Sequence, residues 1–168
     1  MEMKIRPVCL ADAAAIHELR HQPGVLETVL SIPGERITDT EAFLAGLSEH
    51  DYLLVAVLQN GAQEKVIGLC GLQRNRRARQ LHSAVLGIMV DAEQQGKGVG
   101  RALLREILTL ADQWLMLLRV ELNVFTDNKR AIALYESMGF SIEGTRKYAA
   151  IKNGAYADEH LMARYCLS

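Results

Sequence analysis

Cysteine is scarce in this sequence of 168 residues, and its spacing predicts no metal or disulfide chemistry. The three cysteines, Cys9, Cys70 and Cys166, lie far apart and form no CxxC pair. An odd number of widely separated cysteines favours neither a disulfide framework nor a zinc site, so we expect no metal. Free thiols are typical of a reducing compartment, which indicates a cytoplasmic protein.

The sequence also lacks a charge excess and a long hydrophobic run. Its 19 Lys and Arg balance 20 Asp and Glu, and a net charge of −1 gives no general attraction to nucleic acid or to an anionic membrane. Residues 1–20 carry charges throughout, unlike a signal peptide. The most apolar stretch, residues 107–120, is interrupted by Asp112, Gln113 and Arg119 and is too short to span a bilayer. We therefore expect neither nucleic acid nor a membrane as a partner.

The composition that remains is that of an ordinary globular protein. Apolar residues make up 49% of the chain and charged residues 23%, and the length is sufficient for one domain with a real core. No repeat or low-complexity linker interrupts the sequence. We therefore expect one domain over residues 1–168.

Hydrophobic periodicity and turn residues predict an alternation of strands and helices. Strand-like runs lie at residues 4–8, 52–58, 66–72, 83–90 and 119–125, and two more flank Asn153-Gly154. Helical patterns cover residues 13–20, about 38–47, a long amphipathic stretch that reaches Leu118, and a short segment that ends near Met138. The order β-α-α-β-β-β-α-β-α-β-β indicates the α+β class, with a mixed sheet and helices on its faces.

Capping residues refine the ends of these helices. Asp12 is predicted to cap the first helix, and Thr38-x-x-Glu41 is a capping-box pattern at the start of the second. Asp127 or Asn128 is predicted to cap the last helix.

Turn dipeptides and one basic segment lie between the elements. Asn60-Gly61 and Asn153-Gly154 predict hairpins, the second with a type I′ turn. Residues 74–79 contain four arginines but no interleaved aromatic residues, which favours a solvated loop over a nucleic-acid patch.

A glycine-rich turn connects a strand to the long helix. Alternating glycines let a backbone approach a ligand closely, and the N-terminus of a helix offers unpaired N–H groups and a positive dipole end. This combination predicts a pyrophosphate site. The spacing fits neither a P-loop nor a GxGxxG dinucleotide turn. The turn consists of Gln95, Gly96, Lys97, Gly98, Val99, Gly100 and Arg101.

Two motifs resemble those of the GNAT family of N-acetyltransferases. The pattern Gln95-x-x-Gly98-x-Gly100 resembles the coenzyme A pyrophosphate loop of that family. The pattern Asn128-x-x-Ala131-x-x-Leu134-Tyr135-x-x-x-Gly139-Phe140 is similar to its downstream signature. Residues 121–128, residues 139–145 and the Asn153-Gly154 hairpin look like the bacterial L-amino acid N-acetyltransferase group. The resemblance covers nearly the whole chain and implies the GNAT fold, a mostly antiparallel sheet flanked by helices, with acetyl-CoA as cosubstrate.

The resemblance also implies roles for individual residues. The backbone of Ile88 and Val90 is expected to pair with the pantetheine arm, and a backbone N–H near Met89 or Val90 is expected to point at the thioester oxygen. The glycine-rich turn, residues 95–101, is expected to hold the pyrophosphate. Asn128 is expected to contact coenzyme A, and Tyr135 to be the general acid that protonates the departing thiolate.

The general base remains open between several residues. Glu121 is a candidate catalytic residue because it lies on the strand beside the cofactor strand. His82, just before the cofactor strand, and Asp158 and His160, on the last strand, are alternatives. Ordered water is a further alternative, in which case no single residue is essential.

The acceptor is expected to be a small primary amine. By resemblance it is a free L-amino acid with an apolar side chain, whose carboxylate needs a cationic partner. Arg20, Arg74 and Arg146 are the candidate clamps because a guanidinium binds carboxylates bidentately, and His82 is a further acceptor-site candidate. Protein N-terminal acetylation of the ribosomal-protein type and a non-catalytic acyl-CoA-binding module are the alternatives. A homodimer is compatible with the family.

Overall fold

The fold is described by a computed structural model that covers residues 2–167. The element order confirms the predicted order and the α+β class. The strands are β1 Glu2–Pro7, β2 Asp51–Asn60, β3 Gln63–Arg74, β4 Ser83–Val90, β5 Arg119–Phe125, β6 Ser141–Lys152 and β7 Ala155–Tyr165. The helices are α1 Ala13–Arg20, α2 Ile37–Ala45, α3 Val99–Gln113 and α4 Lys129–Ser137.

The strands form one sheet in the order β1-β2-β3-β4-β5-β7-β6. Neighbouring strands are antiparallel except for β4 and β5, which are joined through the crossover helix α3. The parallel pair is short, since only residues 83–85 of β4 pair with residues 119–121 of β5. Beyond Val85 the two strands separate, while β4 continues to pair with β3 as far as Val90. The sheet therefore contains a wedge-shaped opening between β4 and β5.

A hydrophobic core covers each face of the sheet. On one face α3 packs Leu103, Leu104 and Ile107 against strand residues that include Leu122 and Met162, and α4 adds Ile132 and Tyr135 to the same core. On the other face α1 and α2 pack against Val55, Val57 and Met89, among other strand residues. The predicted stripe of α1 is confirmed, because Ala13, Ile16 and Leu19 are all buried. The wedge between β4 and β5 therefore connects the face covered by α3 and α4 with the face covered by α1 and α2.

The long helix ends earlier than its hydrophobic pattern predicts. The stripe was expected to reach Leu118, but α3 stops at Gln113 and leaves Trp114 78% exposed. The chain must turn back here so that β5 can enter beside β4. Met116 takes a left-handed conformation with φ of 49°, and the Leu118 N–H donates to the His82 carbonyl. Strand pairing overrides the helical period at this point.

Two predicted helix caps are wrong in detail. Asp12 is the N-cap residue of α1, but its carboxylate does not cap that helix. It binds the Arg6 guanidinium with two bonds of 2.9 Å and accepts from the Cys9 N–H, which closes the preceding 3₁₀ turn. Helix α2 begins one residue before Thr38, where the Asp39 carboxylate accepts from the Arg36 N–H at 3.1 Å, so the Thr38-x-x-Glu41 box is not used.

The predicted hairpins and the cap of α4 are confirmed. Asn153 and Gly154 have φ of 49° and 77°, as a type I′ turn requires. The β2–β3 hairpin also forms, but Asn60 pairs with Gln63, so the turn residues are Gly61 and Ala62. Asn128 caps α4, since its Oδ1 accepts from the Ala131 N–H at 3.2 Å.

The arginine-rich segment is a solvated loop, as predicted. Arg76, Arg77 and Arg79 are exposed. Arg76 pairs with Asp51 at 3.2 Å, and the Arg74 Nε donates to the Leu81 carbonyl at 2.7 Å.

Candidate active site

The wedge between β4 and β5 holds a cavity of about 490 Å³, called here the main cavity. Its walls come from the end of β4, the glycine-rich turn, β5, the first turns of α4 and the loop between α1 and α2. Among the predicted site residues it is lined by Ile88, Met89, Val90, Gln95, Gly96, Gly98, Gly100, Arg101, Asn128 and Tyr135. The fold therefore brings both sequence motifs to one cavity.

One end of the main cavity is suited to an anion. Gly98 is the N-cap of α3 with φ of 88°, and no side chain among the described residues caps the helix. The first N–H groups of α3 therefore remain available, with the positive end of the helix dipole behind them. A Cβ on Gly100 would lie 3.1 Å from Leu134 Cδ2, so the glycine also allows α3 to approach α4 closely.

Cationic side chains flank this end of the cavity. Arg130 Nη1 donates to Gln95 Oε1 at 2.8 Å, and Gln95 Nε2 donates to the Val90 carbonyl at 3.1 Å. These bonds tie the glycine-rich turn to α4 and to the end of β4. Arg101 Nη2 donates to Ser137 Oγ at 3.1 Å. Arg130 was not predicted from the sequence, because it occupies a variable position of the downstream motif.

Two residues of the glycine-rich turn do not line the cavity with their side chains. The Lys97 side chain is exposed, and the backbone N–H of Lys97 donates to the Gln94 carbonyl at 3.3 Å. Val99 is buried in the core beneath α3. A contact of Val99 with a ligand can therefore use only its backbone.

The free edge of β4 forms the middle of the cavity. Residues 86–90 pair with β3 on one side and have no pairing with β5 on the other. The Met89 side chain packs into the core beneath α1 and α2, so its contribution to the cavity is mostly backbone. An unpaired strand edge binds an extended ligand by adding it as a strand.

Tyr135 belongs to the hydrophobic core and also lines the main cavity. Its ring is buried and lies 5.9 Å from the Phe140 ring, centroid to centroid. Burial raises the pKa of Tyr135 above its ordinary value. No hydrogen bond of its hydroxyl to another described residue is found. The phenol therefore stays protonated at neutral pH and is free to donate.

The four residues considered as the general base all lie outside the main cavity. Glu121 accepts from Arg119 at 2.8 Å, and the His82 side chain is exposed. Hydrogen bonds from Lys147 and from the Tyr148 N–H lower the pKa of Asp158. His160 Nδ1 lies 2.8 Å from Thr145 Oγ1.

The carboxylate that does line the cavity is Glu159, between two of those candidates. Its side chain is 8% exposed and accepts from Arg146 Nη2 at 2.7 Å. Successive residues of a strand point to opposite faces, so Glu159 points away from the face of Asp158 and His160. The alternation of faces along β7 predicts that Glu159 shares a face with Ala163, four residues later. The sequence does not show that this face borders a cavity.

A second cleft of about 550 Å³ adjoins the main cavity. The two share Val29, Leu30 and residues 86–89, so the free part of β4 lies between them. Arg20 lines the second cleft, with its guanidinium carbon 6.0 Å from the centre of the Phe43 ring. Arg74, Arg146 and His82 line neither cavity. The remaining walls include Leu47, Leu53, Leu69 and Val85.

Neither a metal site nor a membrane span is found between residues 2 and 167. No group of three or more His, Cys, Asp or Glu side chains in this range could hold a metal ion. None of its helices has the length and apolar composition needed to cross a bilayer.

Comparison with known proteins places the chain among acetyltransferases. The family model described as acetyltransferase (GNAT) family matches residues 14–140. The L-amino acid N-acetyltransferase AaaT of Escherichia coli is 36% identical over 170 residues, covering 97% of this chain and 98% of that protein. The N-alpha-acetyltransferase RimI of Mycobacterium tuberculosis is 38% identical over 99 residues, which is 59% of each chain.

Solved structures share the whole fold. A crystal structure of a GNAT-family acetyltransferase from Streptococcus pneumoniae matches with a TM-score of 0.80 at 29% sequence identity. The match covers 98% of this chain and all of that one.

Proposed function

The chain belongs to the GNAT family of acetyltransferases, and from that premise we propose that it transfers the acetyl group of acetyl-CoA to the α-amine of a free L-amino acid. The observation that carries the proposal is the meeting of two unlike cavities at residues 86–89. One combines an anion-binding helix end with a free strand edge, and the other combines apolar walls with the arginine Arg20.

Acetyl-CoA fits the main cavity by its chemistry. The pyrophosphate binds at the uncapped N-terminus of α3, with Arg101 and Arg130 beside it. The pantetheine arm, which has amide groups of its own, extends along the free edge of residues 86–90. A backbone N–H of Met89 or Val90 then donates to the thioester oxygen and stabilises the negative charge that develops there.

The transfer proceeds by direct attack on the thioester. The neutral amine adds to the carbonyl carbon, a C–N bond forms, and the C–S bond then breaks. The thiolate that leaves takes the proton of Tyr135, whose raised pKa keeps that proton available. The cavity positions both reactants, which supplies a further part of the rate enhancement.

The second cleft favours an amino acid as acceptor. A free amino acid presents a carboxylate that must be paired when it leaves water. Arg20 lines the cleft, and no ion pair of its guanidinium is found within residues 2–167, so its donors remain available for a carboxylate. The apolar walls, among them Leu53 and Leu69, accommodate an apolar side chain such as that of Phe or Met. The full-length similarity to an L-amino acid N-acetyltransferase supports the same acceptor class.

A screen of acceptor amines tests the proposal. The protein is incubated with acetyl-CoA and L-Phe, L-Met, their amides or an N-terminal peptide, and the free thiol of coenzyme A is measured. We expect turnover with the free amino acids and little with amides or peptides. Preference for the peptide would instead favour protein N-terminal acetylation, the activity named for the mycobacterial relative.

A further inference from the structure

Glu159 has an unusual position for a carboxylate. Of the described residues that line the main cavity, it is the one with an acidic side chain. Its side chain is only 8% exposed. One oxygen, Oε2, accepts from Arg146 Nη2 at 2.7 Å. For Oε1 no hydrogen bond to a described residue is found, so this oxygen is available to a ligand.

The fold places Glu159 on the face of the sheet from which the acceptor approaches. Met162, three residues later on β7, packs into the core beneath α3 and α4, so Glu159 points to the opposite face. That face carries α1, α2 and the second cleft. Glu159 is the strand partner of Phe125, at the end of β5. Both residues line the main cavity, as does Met89 on β4, the other side of the wedge.

The chemistry of the transfer leaves one role unfilled in this cavity. An amino acid binds as an ammonium ion, which cannot attack a thioester until it loses a proton. A carboxylate attracts the ammonium group and accepts that proton. Resting on the proposed function, we propose that Glu159 is the catalytic base, with Arg146 as the positioning residue that holds its Oε2.

The protons and electrons balance in this sequence of steps. The ammonium group gives one proton to Glu159, and the neutral amine attacks the thioester carbon. The tetrahedral intermediate collapses to the amide and the thiolate, and the thiolate takes the Tyr135 proton. The nitrogen loses a second proton as the amide forms, and this proton returns to the Tyr135 phenolate. Glu159 releases the proton that it accepted to water. The net products are the N-acetyl amino acid, coenzyme A and one proton.

Cationic side chains surround Glu159. Arg146 on β6 is its ion partner. Lys152 lies 4.7 Å from the centre of the Phe125 ring and pairs with Asp127. The charged residues in the other walls of the main cavity are Arg101 and Arg130. These four side chains are cations, and among them Arg146 donates the hydrogen bond that fixes the orientation of the Glu159 carboxylate.

The test compares Glu159→Gln and Arg146→Met with the wild-type protein. Glu159→Gln should lower kcat/KM for the best amino acid by roughly a hundredfold or more, the usual contribution of a general base. Arg146→Met should lower it less, and Arg146→Lys, which keeps a cationic donor for Oε2, should restore part of the loss. Glu143→Gln is the matched control, because Glu143 also pairs with an arginine, Arg119, but lies outside both cavities.

Hydroxylamine separates a base from a structural residue. Its nitrogen is already unprotonated at neutral pH, so an enzyme that lacks its base should lose much less activity with it. We expect most of the Glu159→Gln defect to disappear with hydroxylamine, and acetyl-CoA affinity by calorimetry to be unchanged. An equal loss with both amines, or equal losses in Glu159→Gln and Arg146→Met with no recovery in Arg146→Lys, would overturn the assignment.

Failure of the proposed function and failure of the Glu159 assignment give different results. If the wild-type protein prefers another amine, the proposed function fails, and the same comparison is made with that amine. If the wild-type protein prefers amino acids and Glu159→Gln retains full activity, the inference alone fails.

Discussion

Tyr135 both packs in the core and lines the main cavity, where we propose that it acts as the general acid. Its ring belongs to the core beneath α3 and α4, beside Phe140. The residue lines the main cavity, and no hydrogen bond of its hydroxyl to another of residues 2–167 is found. The same burial that packs the ring also raises its pKa, which keeps the phenol protonated well above neutral pH. Folding energetics and acid catalysis therefore favour the same environment.

We predict that Tyr135→Phe lowers kcat by roughly ten- to a thousandfold, a range that brackets the contribution of a general acid. Stability and acetyl-CoA affinity should change little, because the ring keeps its packing and the hydroxyl has no partner to lose. Because the pKa is raised, the wild-type rate should not fall through loss of this proton up to about pH 9. Stopped-flow measurement of the acetyl-transfer step tests both statements.

Tyr165→Phe is the matched control, since Tyr165 contacts Glu143 outside the main cavity. Its turnover should equal that of the wild-type protein. Wild-type turnover in Tyr135→Phe, under conditions where chemistry limits the rate, would remove Tyr135 from the mechanism.

At the scale of elements, the site depends on where β4 and α3 meet. Strand β4 loses its pairing with β5 after Val85, and α3 begins at a left-handed glycine. Between them, Asp91 holds the chain in place. Its buried carboxylate accepts from the Glu93 N–H at 2.9 Å and from Gln22 Nε2 at 3.2 Å. The strand edge and the helix end are thereby fixed relative to each other.

We predict that Gly98→Val weakens acetyl-CoA binding in a protein that still folds. No atom lies within 4 Å of a Cβ built on Gly98, so the obstacle is its φ of 88°, where a side chain costs about 1–2 kcal/mol. Relief of that strain should reorient the N–H groups to which we assign the pyrophosphate. Gly61→Val is the control, since Gly61 also has a positive φ of 61° and open space but lies in the distant β2–β3 hairpin. Calorimetry should show an affinity loss in the first variant alone, and equal affinities would refute the pyrophosphate assignment.

Asp91 gives a prediction about stability and pH. Burial alone would raise the pKa of Asp91, but hydrogen bonds from Gln22 and the Glu93 N–H, with the charge of Lys65, hold it below its usual value. A lowered folded pKa stabilises the protein above the unfolded pKa, and this contribution is lost as pH falls through the folded value. Asp91→Asn should therefore reduce the free energy of unfolding by about 1 kcal/mol near pH 7, the difference between charged and neutral hydrogen bonds.

Urea unfolding checks this at several pH values. The difference between the wild-type and Asp91→Asn proteins should narrow as pH falls from about 5 towards 2. Asp127→Asn, which removes an exposed partner of Lys152, is the control. A difference that stays constant over this range would mean that the charge of Asp91 does not contribute.

At the scale of the whole molecule, the sequence predicts the secondary-structure elements better than the contacts between segments that are distant in the chain. Hydrophobic periods and turn residues predict the order of the elements and the boundaries of β5, because these signals are local. The early end of α3 at Gln113 was missed because the pairing of β5 with β4 decides it. Glu159 and Arg130 were missed for a related reason. Their importance depends on which strand face and which helix turn border a cavity, and that is fixed only when distant segments pack.

The two cavities together make the acceptor specificity a property of the whole molecule. The main cavity, in which we propose that acetyl-CoA binds, is lined mainly by residues after position 85, whereas the second cleft is lined mainly by residues before that point. The two halves meet at residues 86–89. Cofactor binding and acceptor choice should therefore respond to different substitutions.

We predict that Arg20→Gln raises the KM for L-Phe by roughly ten- to a hundredfold, which corresponds to the loss of a charged hydrogen bond of about 1.5–3 kcal/mol. The KM for L-phenylalanine amide, which has no carboxylate, should change little, and so should acetyl-CoA affinity. Arg36→Gln is the control, because Arg36 is an exposed arginine that pairs with Asp39 outside both cavities. Steady-state kinetics with both acceptors give the comparison. If Arg20→Gln raises the KM values for L-Phe and for its amide equally, Arg20 does not bind the carboxylate. If the wild-type protein acetylates the amide and an N-terminal peptide as well as the free acid, no carboxylate clamp exists, and the second cleft is then the entrance for a polypeptide.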